Sequence, residues 1–148
     1  MEVHPDFKEL LALFNKHKVE YVIVGGYALA FYGVPRFTGD IDIFIHAHPK
    51  NASQILAALE EFGFESVELI EEDFSSTNKV IQLGTPPVRV DIITSLTGVS
   101  WDEIADSKVK GSYGEVPVFF ISRSNFIKNK RAIGRNKDLA DIDALDEE

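Results

Sequence analysis

The sequence contains no cysteine, a single methionine and a single tryptophan in 148 residues. Without thiols there can be no disulfide framework, no thiolate metal site and no cysteine nucleophile, so any bound metal must rely on oxygen or nitrogen donors. No apolar run approaches the roughly 20 residues of a membrane-spanning helix. The opening Met-Glu-Val-His-Pro-Asp lacks the charged-then-apolar build of a secretory signal. A cytoplasmic chain with no membrane contact is expected. Positive charge is also scarce: the net charge of −9 argues against indiscriminate nucleic-acid binding, which draws its affinity from Lys and Arg. No Gly-x-x-x-x-Gly-Lys-Ser/Thr is present, which excludes a P-loop, and no Gly-x-Gly-x-x-Gly supports a dinucleotide fold. What remains is an ordinary 45% hydrophobic content and a length that fits one domain, residues 1–148, with a real core.

The informative stretch is residues 21–45. Tyr21 to Val24 is apolar and β-favouring, and Gly25-Gly26 ends it with residues whose missing Cβ lets a ligand approach the backbone. A helix starting at Tyr27 would offer unpaired amide groups beside those glycines, a seat for phosphate oxygens. Asp40-Ile-Asp42-Ile-Phe-Ile45 then alternates. On a strand this puts both aspartates on one face, about 7 Å apart, and the isoleucines on the other. Two adjacent carboxylates resist ionising together, so either a divalent cation lies between them or water solvates both. The upstream glycines favour the cation.

Elsewhere the pattern alternates helices and strands. Asp6 is expected to cap a first helix with Phe7, Leu10, Leu11 and Phe14 on one side. His48-Pro49 and Asn51 open another, which Gly63 closes. Residues 64–78 are rich in acids and read as a mobile, solvated rim or lid. Lys79–Leu83 and Val88–Thr94 are expected strands around a Gly84-Thr-Pro-Pro87 turn, with Asp91 on the same face as Arg89 and Ile93. Ser100-Trp-Asp-Glu103 reads as a capping box, and Tyr113-Gly-Glu115 as a hairpin turn. A helix from Ser122 or Ser124 is interrupted at Gly134, and a last one carries Leu139, Ile142 and Leu145.

Basic charge is concentrated in Arg123, Lys128, Lys130, Arg131, Arg135 and Lys137, a run without acids. Lys130 and Lys137 are candidates for nucleotide contact, against the plainer reading of a solvated helix face. Asp138 and Asp141 read as a helix cap and an ion-pair partner of that run. His46 and His48 are exposed turn residues or metal ligands. Tyr27, Phe31 and Tyr32 are core aromatics or a base-stacking surface. A nucleotide-sugar transferase using Asp-x-Asp fits the strand context and length poorly.

Gly25-Gly26, Asp40-Ile-Asp42-Ile and Val90-Asp91-Ile92 together resemble the signature of minimal nucleotidyltransferases of the DNA polymerase β-like superfamily. Gly25-Gly-Tyr-Ala-Leu with Gly33, Arg36 and Thr38, and Asn129-Lys-Arg-Ala-Ile-Gly-Arg-Asn-Lys-Asp-Leu-Ala-Asp141, are similar to the nucleotidyltransferase toxins of bacterial abortive-infection systems. The resemblance implies an α/β (α+β) fold with a small mixed sheet flanked by helices. It also implies magnesium at Asp40, Asp42 and Asp91, and transfer of a nucleoside monophosphate from a nucleoside triphosphate to a hydroxyl acceptor with release of pyrophosphate. Gly25 and Gly26, with Lys130 and Lys137, would hold the triphosphate. The acceptor, whether protein, RNA or small molecule, stays open, and a partner protein fits a toxin-antitoxin setting. Gly39 departs from the bulkier residue that relatives often carry there. The alternative is a catalytically silent nucleotide- or protein-binding module of the same fold.

Overall fold

The computed structural model describes residues 3–34, 39–64, 68–85 and 88–146. In chain order it comprises α1 (Pro5–Lys16), β1 (Tyr21–Val24), α2 (Gly25–Phe31), β2 (Asp40–Ile45), α3 (Pro49–Phe62), α4 (Glu71–Ser75), β3 (Val80–Thr85), β4 (Val88–Ile93), α5 (Trp101–Ser107), β5 (Val109–Tyr113), β6 (Val116–Phe120), α6 (Arg123–Ile133) and α7 (Asn136–Asp146). The six strands form one mixed sheet in the order β3-β4-β2-β1-β6-β5. β2 runs parallel to β4 and β1 parallel to β6, and the other neighbours are antiparallel.

Two parallel neighbours far apart in sequence are what bring Asp40, Asp42 and Asp91 to one place. The β2–β4 pairing sets Asp40 against Arg89 and Asp42 against Asp91. Alternation does the rest: Ile41, Ile43 and Ile45 are fully buried, whereas Asp40 and Asp42 are partly exposed on the opposite face. β1, apolar throughout and buried at every position, supports β2 from the other side.

Helix α1 buries Phe7, Leu10, Leu11 and Phe14 in the core and packs on α3, which contributes Ala52, Ile55, Ala58 and Leu59. The cap of α1 is His4 rather than Asp6. His4 Nδ1 accepts the Asp6 amide at 3.2 Å, and Pro5, which has no N–H to satisfy, fills the first helical position. α3 is capped by His48 and ends at Gly63, whose φ of 112° is left-handed backbone that a side chain would strain. Buried Asn51 ties α3 to the sheet. Its Oδ1 accepts the Glu20 amide at 2.7 Å, and its Nδ2 donates to the carbonyls of Glu20 and His46, so all three bonds reach the entrance of β1 or the exit of β2.

The acidic stretch after α3 departs from its expected character. Glu71–Ser75 is the short helix α4, its Phe74 ring fully buried in the core, and the Asp73 carboxylate accepts the Ile70 amide at 2.9 Å. One aromatic anchor outweighs the surrounding acids, because burying such a ring contributes several kcal/mol, and truncating it typically costs about 3–5 kcal/mol. Residues 65–67 of that stretch lie outside the described residues, as do Arg36, Thr38 and the Pro86-Pro87 turn. The strands flanking the turn pair as far as Thr85 and Val88.

The Ser100–Glu103 capping box, the β5–β6 hairpin and the helix between Ser122 and Gly134 form where the sequence places them. In α7, Ile142 and Leu145 are buried, but Leu139 is exposed. The buried side of α7 is completed instead by Asp138 and Asp141, whose partners are cationic.

Candidate active site

At the N-terminal end of β2 the sheet carries three carboxylates and one guanidinium. Asp42 and Asp91 are paired in register on adjacent parallel strands, and their carboxyls are in hydrogen-bonding contact. Two ionised acids cannot share such a contact without a proton. Burial, first, and then the Asp91 charge and hydrogen bond, with Asp40 adding repulsion, push the Asp42 carboxyl up to about 7. Lys130 of α6 is the cation that acts on Asp42 in the opposite sense. Asp91 is buried, and its Oδ1 has no hydrogen-bond partner among the described residues.

Asp40 is differently placed. Its Oδ2 lies 2.7 Å from Nη2 of Arg89, and the same nitrogen is 3.2 Å from Oδ2 of Asp91. Among the described residues no three carboxylate or histidine groups are assembled as a ready ligand set, and the Arg89 guanidinium is inserted between two of the expected ligands. Arg89 is the residue that motif reading passes over. The signal was available, since it stands two positions before Asp91 on the same strand face.

The glycine pair has a local reason before any ligand is considered. Gly25, the first residue of α2, has a φ of +68°, and a Cβ there would collide with Oδ2 of Asp42. Glycine is therefore required for the helix to start directly over the aspartate. Helix α2 accordingly begins at Gly25, two residues before the expected Tyr27, and Gly26 lies within its first turn.

The basic run divides. Lys130 Nζ is 3.3 Å from Asp138 Oδ1 and 3.6 Å from Asp141 Oδ2, so it approaches the site while tied to α7. Arg135 is bonded to Asp138, and Lys128 pairs with Glu103. Lys137 is exposed on α7. The pairing of Asp138 and Asp141 with the run is as expected, and the Arg135 hydrogen bond, assisted by Lys130, holds the Asp138 carboxyl down to about 2.

The remaining candidates serve the scaffold. His46 pairs with Glu20 and stacks on Trp101, with ring centroids 5.3 Å apart and planes 3° apart, while His48 caps α3. Tyr27 sits edge-on between Phe7 and Tyr113. Phe31 stacks on Phe120 at 4.1 Å, and the Tyr32 hydroxyl donates to the Ile121 carbonyl. These aromatics are core, not a platform for a base.

This sheet order, with an aspartate pair on one strand and a third aspartate on its parallel neighbour, is that of a nucleotidyltransferase fold. The crystal structure of TM1012 from Thermotoga maritima, described as a "putative nucleotidyltransferase", superimposes with a TM-score of 0.64 at 20% identity, covering 99% of this chain and 97% of the other. The lincosamide antibiotic adenylyltransferase LnuA gives 0.62 at 19%, over 99% and 98%. The antibiotic-resistance factor ANT(2'')-Ia gives 0.60 at 15%, over 95% and 80%. At these identities the likeness is one of fold. Residues 10–116 match the family described as nucleotidyl transferase AbiEii toxin, type IV TA system, and the chain belongs to that family. No curated protein matches the sequence. No described helix is long and apolar enough to cross a membrane.

Proposed function

We propose that this nucleotidyltransferase moves a nucleoside monophosphate from a nucleoside triphosphate to a hydroxyl acceptor, with Asp40, Asp42 and Asp91 as its magnesium ligands. The observation that carries the reading is the Asp42–Asp91 pair, two carboxyls in contact with a buried oxygen that lacks a hydrogen-bond partner among the described residues. Oxygen donors that repel one another fit a hard divalent cation, which neutralises them together. A bound cation would supply charge stabilisation for the transferring phosphoryl group.

The chain's own residues do the rest. Gly25 lets the start of α2 lie against Asp42, and triphosphate oxygens would lie along the backbone of Gly25 and Gly26. Lys130, and Lys137 if its side chain turns inward, would add positive charge. The acceptor oxygen attacks the α-phosphorus as the bond to the pyrophosphate oxygen breaks, and Asp91 takes the acceptor's proton. Membership of a toxin family of a type IV system supports a partner antitoxin. The acceptor is a hydroxyl of a protein, an RNA or a small molecule.

The second reading is a binding module without catalysis. It is favoured by one observation, the Arg89 guanidinium inserted between Asp40 and Asp91. Pyrophosphate release and transfer of α-labelled ATP, CTP, GTP and UTP to a cell extract, with magnesium, distinguish the two. Label transfer that disappears in Asp42→Asn supports the enzyme. Nucleotide binding with no transfer above the Asp42→Asn background across all four triphosphates supports the module.

A further inference from the structure

We infer that Arg89 is an internal competitor for the cation of this site, its guanidinium bridging Asp40 and Asp91 and giving way when metal binds. The inference rests on the metal reading above and deepens it.

Position comes first. Cross-strand pairing brackets Arg89 between Asp40 on β2 and Gly84 on β3. Partners directly opposite on a sheet share a face, so the side chain has a carboxylate on one flank and no side chain at all on the other. The attraction across the strands is therefore one-sided.

The quality of the contact is the second point. Nη2 serves both Asp40 Oδ2 and Asp91 Oδ2, at 2.7 and 3.2 Å. Nε lies 3.2 Å from Asp91 Oδ1. Yet both Nε and Oδ1 are buried without a hydrogen-bond partner among the described residues. An arginine placed for stability would present its parallel N–H pair to one carboxylate, the aligned bidentate fork. Here Nε and Nη2 face the two oxygens of Asp91, but only the Nη2 leg is a hydrogen bond, and Nε and Oδ1 are desolvated without one in return.

Third, the guanidinium neutralises only part of the cluster. Its ion pairs among the described residues are with Asp40 and Asp91 and not with Asp42, so the Asp42 side of the cluster is left for a further cation to meet. A divalent ion touching all three carboxylates relieves what one off-centre positive charge leaves. The exchange therefore runs toward metal, but from a starting state already part-neutralised, and Arg89 sets how much metal is needed.

The test is Mn2+ binding to the nucleotide-free chain, read from the free-ion paramagnetic resonance signal, with thermal unfolding in parallel. Arg89→Met keeps the stem and removes the charge. It should bind Mn2+ about tenfold tighter than wild type, the order expected from removing one nearby positive charge at a partly screened site, and the ion-free form should melt lower. Arg89→Lys, which cannot bridge two carboxylates with a planar group, should bind Mn2+ a few-fold tighter. This variant also decides the matter if Arg89→Met does not fold. Equal or weaker Mn2+ affinity in the folded variants overturns the competition. Asp42→Asn separates the two levels. If it loses Mn2+ while the Arg89 variants match wild type, only the competitor role fails. If it binds Mn2+ like wild type, or if no variant binds at all, the metal reading and the inference fail together.

Discussion

The chain buries carboxylates in two places and treats them in opposite ways. Asp138 and Asp141 on α7 meet cations, Lys130 reaching both and Arg135 bonding Asp138 through its side chain and backbone. The result is an acid held down to about 2. Asp42 and Asp91 on the sheet meet each other, and Asp42 is pushed up to about 7. Both clusters are built from the same side chain. What differs is whether each acid meets cations alone or another acid as well. The α7 pair completes its own electrostatics and belongs to the fold. Among the described residues the sheet cluster has Arg89 on Asp40 and Asp91 while Asp42 and Asp91 face each other, an arrangement that the proposed cation would complete.

The most drastic way to break this comparison is Asp42→Asn, which should lower transfer roughly 10²–10⁴-fold, the usual range for a catalytic carboxylate. The same change should raise the thermal midpoint at pH 8, because it removes one of the repelling charges. Loss of activity together with loss of stability would mean that Asp42 supports the fold as Asp138 does. The mirror experiment is Asp138→Asn. It should lower the midpoint by several degrees by depriving Lys130 and Arg135 of their acceptor, and a midpoint equal to wild type would place α7 outside the stability network.

Gly25→Ala comes next, since it imposes a left-handed backbone on a side chain and pushes a methyl into Asp42. A cost of roughly 1–3 kcal/mol in urea unfolding is expected. Combining it with Asp42→Asn should not relieve the strain, as asparagine occupies the same volume, whereas Asp42→Gly should recover part of it. Full recovery with asparagine would make the clash one of charge rather than space.

The smallest effect sharpens the contrast by pH. Asp42 is raised above its ordinary 3.8, so its contribution to stability is fully present below pH 4 and is lost as pH climbs through 7. Asp138 is lowered, so its contribution is present above pH 4 and is lost as pH falls toward 2. The midpoint gap between wild type and Asp42→Asn should therefore open between pH 4 and 7, while the gap to Asp138→Asn closes below 4. Two gaps that move together would remove the distinction between the clusters.

Much of the fold was legible because it depends on local rules. Alternation in Asp40–Ile45 and Val88–Ile93 fixed the faces, and Gly63, Gly134 and Ser100 marked helix ends through chemistry that needs no distant partner. The Asp42–Asp91 approach was legible through the resemblance to a known family, since no local rule states which strands will be parallel neighbours. Most of the misses share one cause. Phe74 in an acidic stretch and Leu139 on the exposed side of α7 turn on what the rest of the fold offers each position, whereas the shift of the α1 cap from Asp6 to His4 is local, set by Pro5 at the first helical position. Arg89 was read only as sharing a face with Asp91. Its approach to Asp40 exists only through the β2–β4 register.

Trp101, the single tryptophan, stacks on His46 and lies edge-on to Phe44 at 5.4 Å, at the exit of the strand whose entrance holds Asp40. Along the strand Phe44 is about 7 Å from Asp42 and about 13 Å from Asp40. The one tryptophan thus sits at the start of α5, packed on the strand that carries the acids. Its emission should report the packing of α5 on that strand, so folding can be followed by fluorescence while Mn2+ loading is followed by the free-ion resonance signal.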